Sequence, residues 1–184
     1  MNVWEGTTYL HSRSSNPYNM NSICIYKNML FKAFKDKIDI FQIEPFLFIH
    51  YRDYSSTEET FTDSEIHQIK LGNCDEFEYL VAVKDDGNVI VFLIESNFKA
   101  IRFNTGESTW GIATSKKYVA VSSNDFKIRI FDLITNETIL LVGHCHNIPA
   151  IGKTKGKILH GHLIVMKLLK ENSQLSSFGL LYLN

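Results

Sequence analysis

Apolar and polar positions alternate through three stretches of the chain, and each stretch reads as two strands joined by a tight polar turn. The first runs from Met29 to Glu44 (MLFKAFKDKIDIFQIE), the second from Glu78 to Glu95 (EYLVAVKDDGNVIVFLIE), and the third from Tyr118 to Leu133 (YVAVSSNDFKIRIFDL). Period-two alternation of β-branched and aromatic residues, bounded by turn formers, is what paired strands require. The three stretches align: the first strand runs into a turn holding an aspartate (Asp36, Asp86, Asp125), and the second alternates up to an aromatic (Phe41, Phe92, Phe131). Phe92 and Phe131 are 39 positions apart and Phe41 and Phe92 are 51 apart, so the period is near forty with an insertion in the first interval.

The insertion is His50 to Glu65 (HYRDYSSTEETFTDSE), polar, acidic and aperiodic, which reads as a surface loop. Its Ser55, Ser56, Thr57, Thr60, Thr62 and Ser64 among carboxylates also suit a partner-binding or phosphorylated loop. The third copy parses into four short strands: Ser108 to Ser115, Lys117 to Ser123, Lys127 to Leu133, and Thr138 to Gly143. Four antiparallel strands in sequence make one propeller blade, and a repeat of ~40–45 residues fits the blade of a WD40 propeller. Gly111 suits the crowded inner strand of such a blade. Asp125 is placed to accept backbone N–H groups across the bend.

The expected fold is therefore all-β: a partial WD40-like β-propeller of about three to four blades of four antiparallel strands, either an open fragment or one that closes by pairing with another chain. Residues 1–19 form an N-terminal segment, 20–151 the blades with their insert at 50–65, and 152–184 a divergent tail or degenerate blade. The tail has no Asp-bearing tight turn and no aromatic-Asp end, so an amphipathic closing segment or the product of a shifted reading frame are further readings of it. Unpaired edges predict self-association.

Phe131-Asp132 stands where WD repeats carry Trp-Asp, Asp125 where they carry the turn aspartate, and Gly143-His144 where they carry the Gly-His pair that opens the next repeat. The other dipeptide positions, Phe92-Leu93 and Phe41-Gln42, lack the acid. The resemblance implies that His144 and an aspartate at the tight turn of the blade it opens hydrogen-bond to each other. A longer segment, Gly106 to Pro149, resembles a fungal family of WD40-like proteins related to a yeast regulator of ribonucleotide reductase gene transcription. It is carried by Ser108, Trp110 to Ala113, Val119 to Asn124, Gly143, His144 and His146 to Pro149. This resemblance implies a non-catalytic scaffold in transcriptional regulation. Trp110, His146 and Asn147 are candidate interaction residues, Trp110 because tryptophan is enriched at binding hot spots, with core or channel packing as the other reading of a tryptophan on an inner strand.

Composition narrows the chemistry. With 19 Lys and Arg against 20 Asp and Glu, the formal charge of −1 gives no global field toward nucleic acid or anionic membrane. Lys153, Lys155 and Lys157, without interleaved aromatics, read as a solvated face, so direct nucleic-acid binding is not expected. Asn147 and Pro149 break any phosphate loop before Gly152-Lys153. No Gly-x-Ser-x-Gly elbow is present, and the Asp85-Asp86 and Glu58-Glu59 pairs fall in turns or loops, so neither catalysis nor a small-molecule substrate is expected. His144, Cys145, His146, His160 and His162 are zinc-type ligands, but strand alternation points Cys145 away from its neighbours, and no metal or cofactor is expected. The odd, scattered Cys24, Cys74 and Cys145, with no secretory signal or long apolar run, suit an intracellular protein in nucleus or cytoplasm. In that setting the Asn136-Glu137-Thr138 sequon is coincidental. The reading is thus a protein-binding scaffold; the alternatives are a truncated propeller fragment without independent function and a zinc-binding protein.

Overall fold

A computed structural model describes residues 22–44, 47–52, 64–148, 150–154, 157–160, 164–168 and 178–181. Its strands form four antiparallel sheets of four, each in chain order. The first holds β1 (Ile23–Tyr26), β2 (Met29–Phe34), β3 (Lys37–Gln42) and β4 (Leu47–Arg52). The second holds β5 (Ile66–Cys74), β6 (Phe77–Lys84), β7 (Asn88–Leu93) and β8 (Lys99–Asn104), with a 3₁₀ turn at Ile94–Ser96 before β8. The third holds β9 (Thr109–Ser115), β10 (Tyr118–Ser123), β11 (Ile128–Asp132) and β12 (Thr138–Leu141). The fourth holds β13 (Ile151–Thr154), β14 (Lys157–His160), β15 (Ile164–Leu168) and β16 (Phe178–Leu181).

Successive sheets touch mainly through their first strands, β1 on β5, β5 on β9 and β9 on β13. The first strands converge and the fourth strands fan outward, which is the geometry of propeller blades. The middle strands of the second and third sheets are buried on both faces, so apolar residues stand on either side of them. Leu80, Ala82, Ile90 and Phe92 of the second sheet pack on Phe31, Ala33, Ile38 and Ile40 of the first. On the opposite face, Tyr79, Val81, Val83, Val89 and Val91 pack on Ile112, Val119, Val121 and Phe131 of the third. The third sheet turns Ala113, Ala120, Ile128 and Ile130 toward Leu141, Ile148 and Ile151 at the entry to the fourth. Each such Val, Leu, Ile or Phe side chain contributes about 1.5–3 kcal/mol of burial free energy.

Gly111 sits where β9 meets β13. A Cβ there would lie 2.8 Å from the backbone nitrogen of Ile151 and 2.9 Å from Ser122 Oγ, so the inner strand admits no side chain at this point.

One boundary differs from the sequence reading. Residues 50–52, assigned to the insert loop, pair with β3 as the end of β4: Ile38 faces Arg52 and Asp39 faces Tyr51. The β-formers Ile49 and Tyr51 suit that pairing, and only the charged tail of the strand disguised it. The loop's far end is pinned, since Ser64 Oγ accepts the N–H of Asp86 at 2.8 Å. The stretch read as a divergent tail or degenerate blade carries paired strands of the fourth sheet. Residues 1–19 and 53–63 lie outside the described residues.

Candidate functional site

The three turn aspartates hold different environments. Asp36 lies in the two-residue turn between β2 and β3, where Lys35 takes φ 54°. Asp86 caps the β6–β7 turn by accepting the N–H of Asn88 at 3.0 Å and its side-chain amide at 2.7 Å. Gly87, at φ 84°, completes that bend. Asp125 is held mostly by side chains rather than by the backbone donors expected for it. Arg129 forks onto both carboxylate oxygens at 2.7 and 3.1 Å, Ser123 donates its hydroxyl, and the Lys127 N–H is more distant at 3.4 Å. The Arg129 guanidinium holds the Asp125 carboxyl well below the usual carboxylate range, outweighing its partial burial, with Ser123 and Lys127 adding to the effect.

Phe131 is buried and stacks on Phe103 of the second sheet with ring centroids 4.3 Å apart. Asp132 follows it into the next turn. It binds Lys117 Nζ at 2.6 Å and accepts the N–H groups of Ile134 at 2.9 Å and Thr135 at 3.2 Å. Burial alone would raise the Asp132 carboxyl, but the Lys117 ammonium and those N–H groups outweigh it and hold it below its ordinary value.

Trp110 anchors a cluster that joins the second and third sheets. Its indole N–H donates to Asn124 Oδ1 at 2.7 Å, and its ring stacks on His67 at 4.2 Å. His67 is buried at 4% exposure, with Nδ1 2.8 Å from the carbonyl oxygen of Thr109. A carbonyl only accepts, so Nδ1 carries the hydrogen and Nε2 turns to Asp85 Oδ1, 3.6 Å away. Ser108 donates its hydroxyl to the same oxygen at 2.7 Å, and Thr109 donates to the Lys84 carbonyl at 2.7 Å. The Asp85 carboxylate is 61% exposed. The cluster thus presents an anion at the rim, backed by a hydrogen-bonded pair of stacked rings. Ser108 donates to the carboxylate and not to the imidazole, so the trio is not arranged as a nucleophile with its base.

His67 and Asp85 make, within the second sheet, the histidine to turn-aspartate contact that the resemblance assigned to His144. The sequence reading missed both because it took Asp86 for the second turn's aspartate and read no strand at Ile66–Cys74. The doubled acid Asp85-Asp86 was the available signal: one carboxylate caps the turn and the other is left to face the first strand. Gly143 (φ 127°) and the exposed Cys145, His146 and Asn147 follow β12, with half-buried His144 among them. The sequence between β14 and β15, where a partner for His144 was expected, is Gly161-His162-Leu163 and contains no aspartate. Those residues, like Lys155 and Pro149, lie outside the described set. Among the described residues no three His, Cys, Asp or Glu side chains gather as metal ligands would. No helix among them is long and apolar enough to cross a membrane.

No family model matches the chain. It is 39% identical over 142 residues to a WD40 repeat-containing protein of Dictyostelium discoideum, covering 72% of this chain and 20% of that protein. It is 24% identical over 157 residues to a WD repeat-containing protein of Schizosaccharomyces pombe, covering 68% of this chain and 33% of that one. The chain therefore spans about a fifth and a third of these relatives. The WD40 repeats of RRP9 superpose with a TM-score of 0.70 at 14% identity, over 91% of this chain and 52% of that one. The computationally designed Ika4 protein superposes at 0.63 with 16% identity, over 94% and 96%. A chain in the mitotic checkpoint complex superposes at 0.61 with 15% identity, over 81% and 46%. The chain is thus similar in sequence to WD repeat-containing proteins, and its fan of four-stranded sheets has the fold of a partial β-propeller.

Proposed function

We propose that the chain is a non-enzymatic scaffold whose blades hold protein partners. The observation that carries this is the rim cluster at the second and third sheets. There an exposed Asp85 carboxylate stands over the His67–Trp110 stack, an arrangement suited to a basic or aromatic side chain of another protein. WD40 proteins are generally interaction scaffolds, and one structural neighbour is a chain of the mitotic checkpoint complex. A role in transcriptional regulation, with ribonucleotide reductase genes as targets, rests on the resemblance of Gly106 to Pro149 alone. A scaffold of that kind works in the nucleus or cytoplasm.

The test is affinity capture with the full chain against Asp85→Arg and Trp110→Ala variants, each checked for an unchanged thermal transition. Partners held in stoichiometric amount by the natural chain and released by Asp85→Arg support the reading. Recovery of the same proteins by both variants and by an unrelated propeller overturns it. For the regulatory role, deletion of the gene in its own organism is expected to change ribonucleotide reductase transcript levels, and unchanged levels dispose of that part.

A further inference from the structure

The outer strand of the third sheet has an edge unlike that of its counterpart in the second. β8 carries Lys99 and Arg102, charges that keep a sheet edge from pairing with another. β12 and the residue after it read Thr-Ile-Leu-Leu-Val, with no charge and no proline, and Leu140 and Val142 are 49% and 61% exposed.

The ladder fixes which backbone groups of this strand face outward. Ser123 N–H donates to Lys127 and Leu133 N–H to Lys117, so odd-numbered residues of β11 bond to β10 and even-numbered ones to β12. Asp132 N–H donating to Glu137 confirms this on the other side. In the register that pairs Ile130 with Ile139 and Ile128 with Leu141, Ile139 and Leu141 bond inward. Thr138, Leu140 and Val142 therefore turn their N–H and C=O groups out.

We propose that this edge pairs with the same edge of a second copy of the chain, antiparallel, about a two-fold axis at Leu140. In that register Leu140 faces Leu140 and Thr138 faces Val142, so every outward N–H of one copy meets an outward carbonyl of the other. The self-matching is a consequence of parity: the outward residues are spaced symmetrically about Leu140, as an isologous interface needs. The side chains agree with it. Leu140 shares its face with Arg129, its cross-strand partner, and that guanidinium is already bound to Asp125, so the joined sheets bring no unpaired cation together. The pairing is independent of the scaffold reading and of the rim cluster.

The experiment is the native mass of the full chain by sedimentation over a concentration series, compared with Leu140→Pro. Proline at 140 removes an outward N–H and takes no bond from β11, so the blade keeps its ladder. The natural chain is expected to approach twice the monomer mass, and Leu140→Pro to stay at the monomer mass with an unchanged thermal transition. As a check that does not depend on that variant folding, Leu140→Cys in a Cys145→Ser background is expected to oxidise to a covalent dimer. Facing residues of such a hydrogen-bonded pair have Cα atoms about 5.5 Å apart, within disulfide reach. A natural chain that stays monomeric at every concentration overturns the proposal. So does a dimer that survives Leu140→Pro, or a Leu140→Cys chain that forms no cross-link.

Discussion

Asp125 shows how one side chain secures a blade. Its carboxylate takes the Arg129 fork and the Ser123 hydroxyl across the β10–β11 turn, with Asp125 and Arg129 both largely shielded, 17% and 15% exposed. Charge-assisted bonds of this kind contribute about 1.5–3 kcal/mol each. Removing the acid also leaves a guanidinium without its partner. Asp125→Ala is therefore expected to cost about 2–4 kcal/mol by urea unfolding at neutral pH. The pH dependence has a definite sign. The folded state holds this carboxyl below its unfolded value of about 3.9, so the contribution is complete above that pH and is lost as the pH falls through the folded value. Asp132, lowered by Lys117 and two N–H groups against the pull of its burial, adds to the same acid limb. Stability plotted from pH 5 downward should fall less steeply in Asp125→Asn than in the natural chain; parallel curves would remove Asp125 from the account.

At the scale of the element, the strand that governs spacing is β9, which touches β5 on one side and β13 on the other. Side chains from both strands join β5 to it: Gln68 Oε1 of β5 accepts the Ile112 N–H at 3.1 Å, Lys70 of β5 donates to the Ile112 carbonyl at 3.1 Å, and Thr114 of β9 donates to the Leu71 carbonyl at 3.0 Å. On the other side only the missing side chain of Gly111 lets β13 approach. Gly111→Ala is expected to cost about 1–3 kcal/mol, as overpacking does when the obstructing atom is backbone. Thermal denaturation of the full chain measures it, and an unchanged midpoint would mean that β13 yields freely. The same strands explain what the sequence revealed and what it hid. β2, β3, β6, β7, β10 and β11 were legible because their apolar alternation is buried between sheets and their turns hold aspartate. β5 was not, because His67, Gln68 and Lys70 look like solvent-facing residues. Their polar atoms find partners chiefly on a strand some forty positions away, with Asp85 facing the remaining His67 nitrogen. That information is tertiary, and the His67–Asp85–Trp110 cluster was hidden with it. Gly111 and the Phe131-Asp132 pair were legible because each marks a local need, close approach in one case and a strand running into a turn in the other.

Over the whole molecule, each sheet packs chiefly on its neighbours in chain order, so stability is distributed as in a one-dimensional stack. The second and third sheets are covered on both faces by described neighbours, and their middle strands contain many of the least exposed side chains, among them Tyr79, Val81, Val83, Val91, Val119 and Val121. β1 differs: Cys24 and Tyr26 pack inward, but Ile23 is 49% and Ile25 62% exposed. Local opening costs least where few apolar contacts are lost. Amide hydrogen exchange of the full chain should therefore rank β6, β7, β10 and β11 as the slowest strands and β1 as much faster, with β12 protected on its inward residues Ile139 and Leu141 before its outward ones. That last contrast depends on concentration if two copies join at this edge. Protection at Leu140 and Val142 should then rise with protein concentration while that of β6 stays fixed. Uniform exchange across the second and third sheets would mean that they open as one unit, and the picture of separately stacked blades would give way to a single cooperative core.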